Sequence, residues 1–360
     1  MPMPTPQPGI MEIDLYQGGD SSVPGVADVV KLSSNENPLG PPPSAVEAAR
    51  RAAADMHLYP STDHRSLREA IAETYDLDPD RIVCGVGSDE ILHLLAQAFA
   101  GPGDEVLHTE HGFLMYPIVA RAAGATPVQA PEAMRRVDVA ALLDRATDAT
   151  ALTFVANPAN PTGTTISAQD INRLANGLPG LLVLDGAYAE YAEDAALKLA
   201  EARDDVVVTR TFSKAYGLGG MRVGWAYGPR AVIDVLNRIR GPFNLSTVAL
   251  AAAEAAVRDR DRLRETVETN ARLRSELTRG LVGLGLEVDQ SEANFVLARF
   301  ASEAEAAACD AHLRSLGVIV RHPRAYGFPE GLRITVGDEE GVRRVLDGIA
   351  SFRAAQEAAA

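Results

Sequence analysis

Between residues 81 and 227, short, mostly apolar runs alternate with stretches of helical period. The runs at 81–84, 105–108, 126–129, 151–155, 181–184, 206–209 and 223–227 read as strands without a polar face. The clearest helix spans 87–100, where Ile91, Leu94, Leu95, Ala98 and Phe99 recur at i, i+3, i+4, i+7 and i+8. Strands apolar on both faces and separated by helices predict a mostly parallel sheet in an α/β fold, with helices on both sides. Ligands of such sheets sit beyond the carboxyl ends of the strands, so the residues just after each run are the ones to inspect.

The pattern changes at Gly241-Pro242-Phe243. A charged helix over 247–284, unbroken or interrupted once, precedes strands at 295–298 and 332–336. The expected organisation is an arm over 1–35 without strong periodicity, a large domain over 36–243 and a smaller α/β domain over 244–360. A length of 360 residues suits two domains of ordinary size.

Composition narrows the function classes. With 46% hydrophobic and 23% charged residues the chain reads as globular, and no run approaches the roughly 20 apolar residues of a membrane span. The start, Met1-Pro2-Met3-Pro4-Thr5-Pro6, lacks the regions of a signal peptide. Two cysteines, Cys84 and Cys309, offer no disulfide framework, so a reducing cytoplasm is expected. A net charge of −15 argues against nucleic acid as a partner but leaves room for small anions held by a local arginine cluster.

Four features follow apolar runs. Gly85-Val86-Gly87-Ser88-Asp89-Glu90 turns into a helix whose first N–H groups can face an anion, or is an ordinary capped turn. Asn157-Pro158-Ala159-Asn160-Pro161-Thr162-Gly163 holds asparagines in turns, on the surface or as donors to a ligand oxygen. Asp185, in Asp185-Gly186-Ala187-Tyr188, ends a buried strand and either caps a helix or meets a cation. The fourth is Thr211-Phe212-Ser213-Lys214-Ala215-Tyr216-Gly217-Leu218-Gly219-Gly220-Met221-Arg222. Only Lys31, Lys198 and Lys214 are lysines among 34 basic residues. A lysine can lose its proton and act as an amine nucleophile, which arginine cannot. Phosphate cradle, asparagine, carboxylate and amine together are the parts that pyridoxal 5′-phosphate requires.

The chain resembles the fold-type-I aminotransferases, and within them the histidinol-phosphate aminotransferases. The resemblance runs from about Leu32 to Gly337. Ser34-Asn35-Glu36-Asn37-Pro38-Leu39-Gly40, His57-Leu58-Tyr59-Pro60, the four features above and Leu332-Arg333-Ile334-Thr335-Val336-Gly337 carry it. It implies a homodimer with shared active sites and pyridoxal phosphate as cofactor. Lys214 is implied as the Schiff-base lysine, Asp185 as the partner of the pyridinium nitrogen, and Asn160 and Tyr188 as neighbours of the 3′ oxygen. Gly87, Ser88, Asp89, Thr211, Ser213 and Arg222 would hold the phosphate, Phe113 would stack on the ring, and Tyr59 would reach the partner subunit's cofactor. Arg321 and Arg333, with Asn37 and Tyr16 from the other subunit's arm, would bind substrate; Arg324 has no implied role. His108-Thr109-Glu110-His111 is not a His-Glu-x-x-His motif, and no metal is expected.

The implied reaction is transamination of L-histidinol phosphate with 2-oxoglutarate, giving imidazole-acetol phosphate and glutamate. Lys214 would move the Cα proton, and Asp185 would keep the pyridine nitrogen protonated. An aromatic amino acid aminotransferase is the nearest rival, distinguished by recognition of carboxylate in place of phosphate. A threonine-phosphate decarboxylase-like lyase shares the motifs and the phosphate pocket. A pyridoxal-phosphate-binding transcriptional regulator would need a DNA-binding module, for which the short arm and the negative charge leave no place.

Overall fold

The computed structural model describes residues 4–15 and 18–359. Its strands in chain order are β1 (Val30–Lys31), β2 (Ile82–Gly85), β3 (Glu105–Thr109), β4 (Thr126–Ala130), β5 (Thr150–Ala156) and β6 (Leu181–Asp185). There follow β7 (Val206–Thr211), β8 (Gly224–Tyr227), β9 (Glu287–Val288), β10 (Phe295–Arg299), β11 (Val318–Ile319) and β12 (Gly331–Thr335). The seven strands expected between 81 and 227 form one sheet in the order β2-β8-β7-β6-β5-β3-β4.

Every neighbouring pair from β7 through β6, β5 and β3 to β4 is parallel. The exception is β8, antiparallel to both β7 and β2. Periodicity carries no information on strand direction, and the reason lies in the connection. Residues 212–223 contain one 3-10 turn and no crossover helix, so the chain can only return antiparallel to β7.

Successive side chains of each strand enter opposite core layers. Leu182 and Leu184 of β6 and Val206 and Val208 of β7 face one layer, while Val183 and Val207 face the other. Helices Arg65–Tyr75, Val139–Arg145 and Ala168–Gly177 cover the first side; Gly87–Phe99, Met115–Ala122 and Arg230–Ile239 cover the second. This is the expected α/β architecture with a mostly parallel central sheet and helices on both sides.

A second core joins the antiparallel sheet β12-β10-β9 to helices Arg260–Gly283, Glu303–Ser315 and Glu339–Ala359. Packing crosses both expected domain boundaries. Near the first, Val30–Lys31 pairs with Val318–Ile319 and Leu32 is buried in the C-terminal core. Beyond the second, Leu245, Ala249, Ala252, Ala253 and Ala256 bury against the large sheet's layer. Small side chains let helix Thr247–Arg258 lie close on Pro43–Ala52 and Arg65–Tyr75. The helix predicted over 247–284 breaks at Asp259, whose carboxylate accepts from the Arg262 N–H (3.2 Å) and the Ser44 hydroxyl (2.8 Å).

Candidate active site

The carboxyl ends of β3, β5, β6 and β7 open into a cavity of about 310 Å3, closed on the far side by residues around Ser33–Asn35 and by Arg321, Tyr326 and Arg333. Asp185, the last residue of β6, is buried at its floor. Tyr116 donates to its Oδ2 (2.9 Å) and Thr209 to its Oδ1 (3.0 Å). Burial pushes the Asp185 carboxyl above its usual range, and the two hydroxyls pull it back only in part. A carboxylate satisfied by neutral hydroxyls in a dry floor is suited to a cationic ring nitrogen.

Lys214 follows β7 by three residues, and its Nζ donates to the Ser34 carbonyl (3.0 Å). Burial lowers its ammonium to about 8, aided by the charges of Arg333 and Arg222 and opposed by Glu36 and Asp89. That leaves about a tenth of the amine free at pH 7 and about half of it near pH 8. Tyr188 lies 5.8 Å from Nζ by its ring centre, and its hydroxyl accepts from Asn35 Nδ2 (2.9 Å).

One corner of the cavity is a nest of N–H groups. Gly87 opens helix Gly87–Phe99 with φ +72°, and a Cβ there would stand 2.7 Å from Arg222 Nη2. Ser88 and Asp89 occupy the first turn, where free N–H groups point outward. Arg222 donates to the Ser213 hydroxyl (3.2 Å) and meets Asp89 at 3.3 Å. The Thr211 hydroxyl accepts from the Ser213 N–H (3.1 Å). Phe113 stands edge-on to Tyr116 with ring centres 5.9 Å apart, on the wall above Asp185.

Opposite lies Arg333 on β12. It donates to Asn160 Oδ1 (2.6 Å) and to the Ser33 carbonyl (2.8 Å), and its Nε is buried without a partner. Among the described residues no carboxylate pairs with it. Arg321 bridges Arg333 through the backbone and donates to the Gly18 carbonyl (2.7 Å).

The cavity gathers Ser88, Asp89, Phe113, Asn160, Asp185, Tyr188, Thr211, Ser213, Lys214, Arg222, Arg321 and Arg333, with Gly87 forming the turn behind Ser88. Asn37 is elsewhere: its amide donates to the Ala215 carbonyl (3.0 Å) and accepts from the Leu39 N–H (3.0 Å), bracing the Lys214 loop. Asn35 takes the position expected of Asn37. Its left-handed backbone (φ 56°) turns the amide toward Tyr188. Tyr59 is remote from this cavity, exposed and stacked on Phe243. Tyr16 lies outside the described residues. Arg324 pairs with Glu303 at 3.0 Å on the surface. Tyr116, Thr209, Asn35 and Tyr326 join the site without having been singled out. Thr209 carried a weak signal, standing two residues before the carboxyl end of β7, whereas Tyr116, on a helix seven residues past β3, carried none.

The parts match pyridoxal 5′-phosphate: an anion nest, a stacking ring, a buried carboxylate and a low-pKa lysine. The family model for aminotransferases of class I and II matches residues 27–349. The histidinol-phosphate aminotransferase of Ruegeria pomeroyi is 62% identical over 356 residues, covering 98% of this chain and 99% of that protein. That of Paracoccus denitrificans is 58% identical over 352 residues, covering 97% and 96%. Among solved structures, histidinol-phosphate aminotransferase from Sinorhizobium meliloti in complex with pyridoxal-5′-phosphate superposes with a TM-score of 0.89 at 27% identity, over 96% of this chain and 97% of that one. Aspartate aminotransferase from Thermus thermophilus with maleate gives 0.80 at 26% identity, over 90% and 92%.

Proposed function

The chain belongs to the aminotransferases of class I and II, and we propose that within them it moves the amino group of L-histidinol phosphate to 2-oxoglutarate. The observation that carries the substrate is Arg333, a buried guanidinium without a carboxylate partner, beside Arg321 on the same cavity wall. A buried cation left unpaired is costly, so the site is built for an anion that arrives with the substrate. A dianionic phosphate engages both guanidiniums, while each carboxylate of 2-oxoglutarate needs only one. The names of the full-length relatives support the same choice.

Bound pyridoxal phosphate supplies an electron sink and carries the amino group between the two substrates. The protein's part follows from its side chains. The nest at Gly87, Ser88 and Asp89, with Thr211, Ser213 and Arg222, holds the cofactor's phosphate, and Phe113 fixes the ring plane. Asp185, kept in place by Tyr116 and Thr209, holds a proton on the ring nitrogen. Asn160 and Tyr188 bind the ring oxygen. Lys214 would hold the cofactor through its amine and would take the proton from the substrate Cα. A pKa of about 8 puts that base close to neutral pH. The working form is a homodimer in the cytoplasm, with Tyr16 and Tyr59 serving the partner subunit's cavity.

The test is a set of half-reactions. Cofactor-loaded protein is mixed with L-histidinol phosphate, L-glutamate, L-phenylalanine and L-threonine phosphate in turn. The visible absorbance of the lysine-linked cofactor should bleach fastest with histidinol phosphate and also with glutamate. Fastest bleaching by phenylalanine would make this an aromatic aminotransferase, and loss of carbon dioxide from threonine phosphate would make it a lyase.

A further inference from the structure

His111 ties the two halves of the cavity wall together. It follows β3, two residues before Phe113, and its main-chain N–H donates to Glu132 Oε1 (3.3 Å). Its ring reaches across to the C-terminal lobe, where Nδ1 lies 2.7 Å from the Tyr326 carbonyl. A carbonyl only accepts, so Nδ1 is the protonated nitrogen of this ring. The imidazole also packs on Phe328, with ring centres 4.3 Å apart. Gly327 lies between those two residues with φ +83°, and a Cβ there would stand 3.0 Å from both Cε1 and Nδ1 of His111. Three successive residues, Tyr326, Gly327 and Phe328, therefore meet this ring at the end of the turn Arg324–Tyr326. Tyr326 lines the cavity and is buried with Leu297 and Phe328 against Phe113 and Leu114.

We propose that His111 is a positioning residue for substrate: it locks the Tyr326 turn onto the large lobe and thereby fixes the distance between the Phe113 wall and the Arg321–Arg333 wall. Tyr326 stands five residues from Arg321 on the same short connection, so freeing its carbonyl loosens the segment that aims Arg321. The phosphate nest at Gly87, Ser88, Asp89, Thr211, Ser213 and Arg222 is built on other elements than that turn. Substrate binding should therefore suffer while cofactor binding does not.

This inference rests on the proposed reading of the cavity as a substrate site, and the experiment separates the two. Steady-state kinetics with L-histidinol phosphate and 2-oxoglutarate are compared for wild type, His111→Leu and His111→Asn, alongside titration with pyridoxal phosphate. Leucine removes the donor; asparagine places an amide N–H where Nδ1 stands. His111→Leu should raise KM about three- to tenfold, the range of one neutral hydrogen bond. Its kcat and cofactor affinity should stay within about twofold of wild type, and His111→Asn should restore KM. If His111→Leu does not yield folded protein, His111→Gln replaces it, because its longer side chain carries the amide past the Tyr326 carbonyl; the same rise in KM is expected. A wild-type KM in the variant without the donor, a failure of asparagine to rescue, or an equal fall in cofactor affinity overturns the positioning role. Absence of turnover in wild type instead overturns the substrate reading.

Discussion

At the scale of single residues, the account turns on two buried ionisable groups that face each other's chemistry. Lys214 has its ammonium lowered to about 8 by burial and by Arg333. The unfolded chain then holds more protons on this lysine than the folded one between about 8 and the usual 10.5, so this group's cost to stability falls as pH rises through that window. The same value sets reactivity. The rate at which cofactor-free protein links to pyridoxal phosphate should climb as pH approaches 8 and level off above it; a midpoint near the ordinary lysine value would contradict the buried-amine picture. Asp185→Asn keeps the shape but cannot hold a ring proton. It should cut kcat about ten- to a hundredfold, the worth of a hydrogen bond to a charged group at roughly 1.5–3 kcal/mol. Apo-protein stability should move by less than about 1 kcal/mol, since both hydroxyls can turn to meet the amide. Unchanged turnover would leave Asp185 a structural group. Asp185 was legible because it directly follows an apolar run, and Lys214 because it is one of only three lysines in a chain that otherwise uses arginine. Their partners were not: Thr209 meets Asp185 through strand register, and Tyr116 through the approach of its helix, which no local pattern encodes. Gly186, next to Asp185, is fixed by a close approach. A Cβ there would stand 2.8 Å from Nη1 of Arg210, a buried arginine paired with Asp194.

At the scale of elements, the nest proposed to hold the phosphate is made by a strand and a helix that approach too closely for side chains. Gly224 of β8 lies directly against Ser88 and Gly87, so a Cβ would collide with their backbone. Gly87→Ala keeps the fold but adds a methyl 2.7 Å from Arg222 Nη2 at a positive φ. It should cost about 1–2 kcal/mol of stability and weaken pyridoxal phosphate binding about tenfold, read by thermal melts and cofactor titration. Wild-type affinity would place the phosphate elsewhere. Strand existence and order of motifs could be read from apolar runs, yet the direction of β8 could not. Likewise Asn35 and Asn37 are equivalent as sequence; only the left-handed turn at Asn35 decides which amide enters the cavity.

At the scale of the whole molecule, two cores share one cleft, and packing runs across both places where the texture of the sequence changes. A shift in composition marks where helices become charged, but a helix joins whichever core its small residues fit, as Ala249, Ala252 and Ala256 show. The outside of the large lobe carries Met56, Leu58 and Tyr59, all exposed, beside Phe243. Such a patch suits a second copy of the chain. Sedimentation at micromolar concentration should give twice 38.2 kDa, and Tyr59→Ala should weaken cofactor binding in the dimer. A monomer with full cofactor affinity and activity would remove Tyr59 from the shared site.

The most direct measurement of the central claim is the ratio of kcat/KM for L-histidinol phosphate to that for L-phenylalanine, each with 2-oxoglutarate. Arg321 and Arg333 stand on one cavity wall, which the proposed reading assigns to a dianion, and phenylalanine brings a single carboxylate. The ratio should favour histidinol phosphate by at least about a hundredfold and collapse toward unity in Arg321→Ala. A wild-type ratio at or below one would contradict the claim and make this an aromatic aminotransferase.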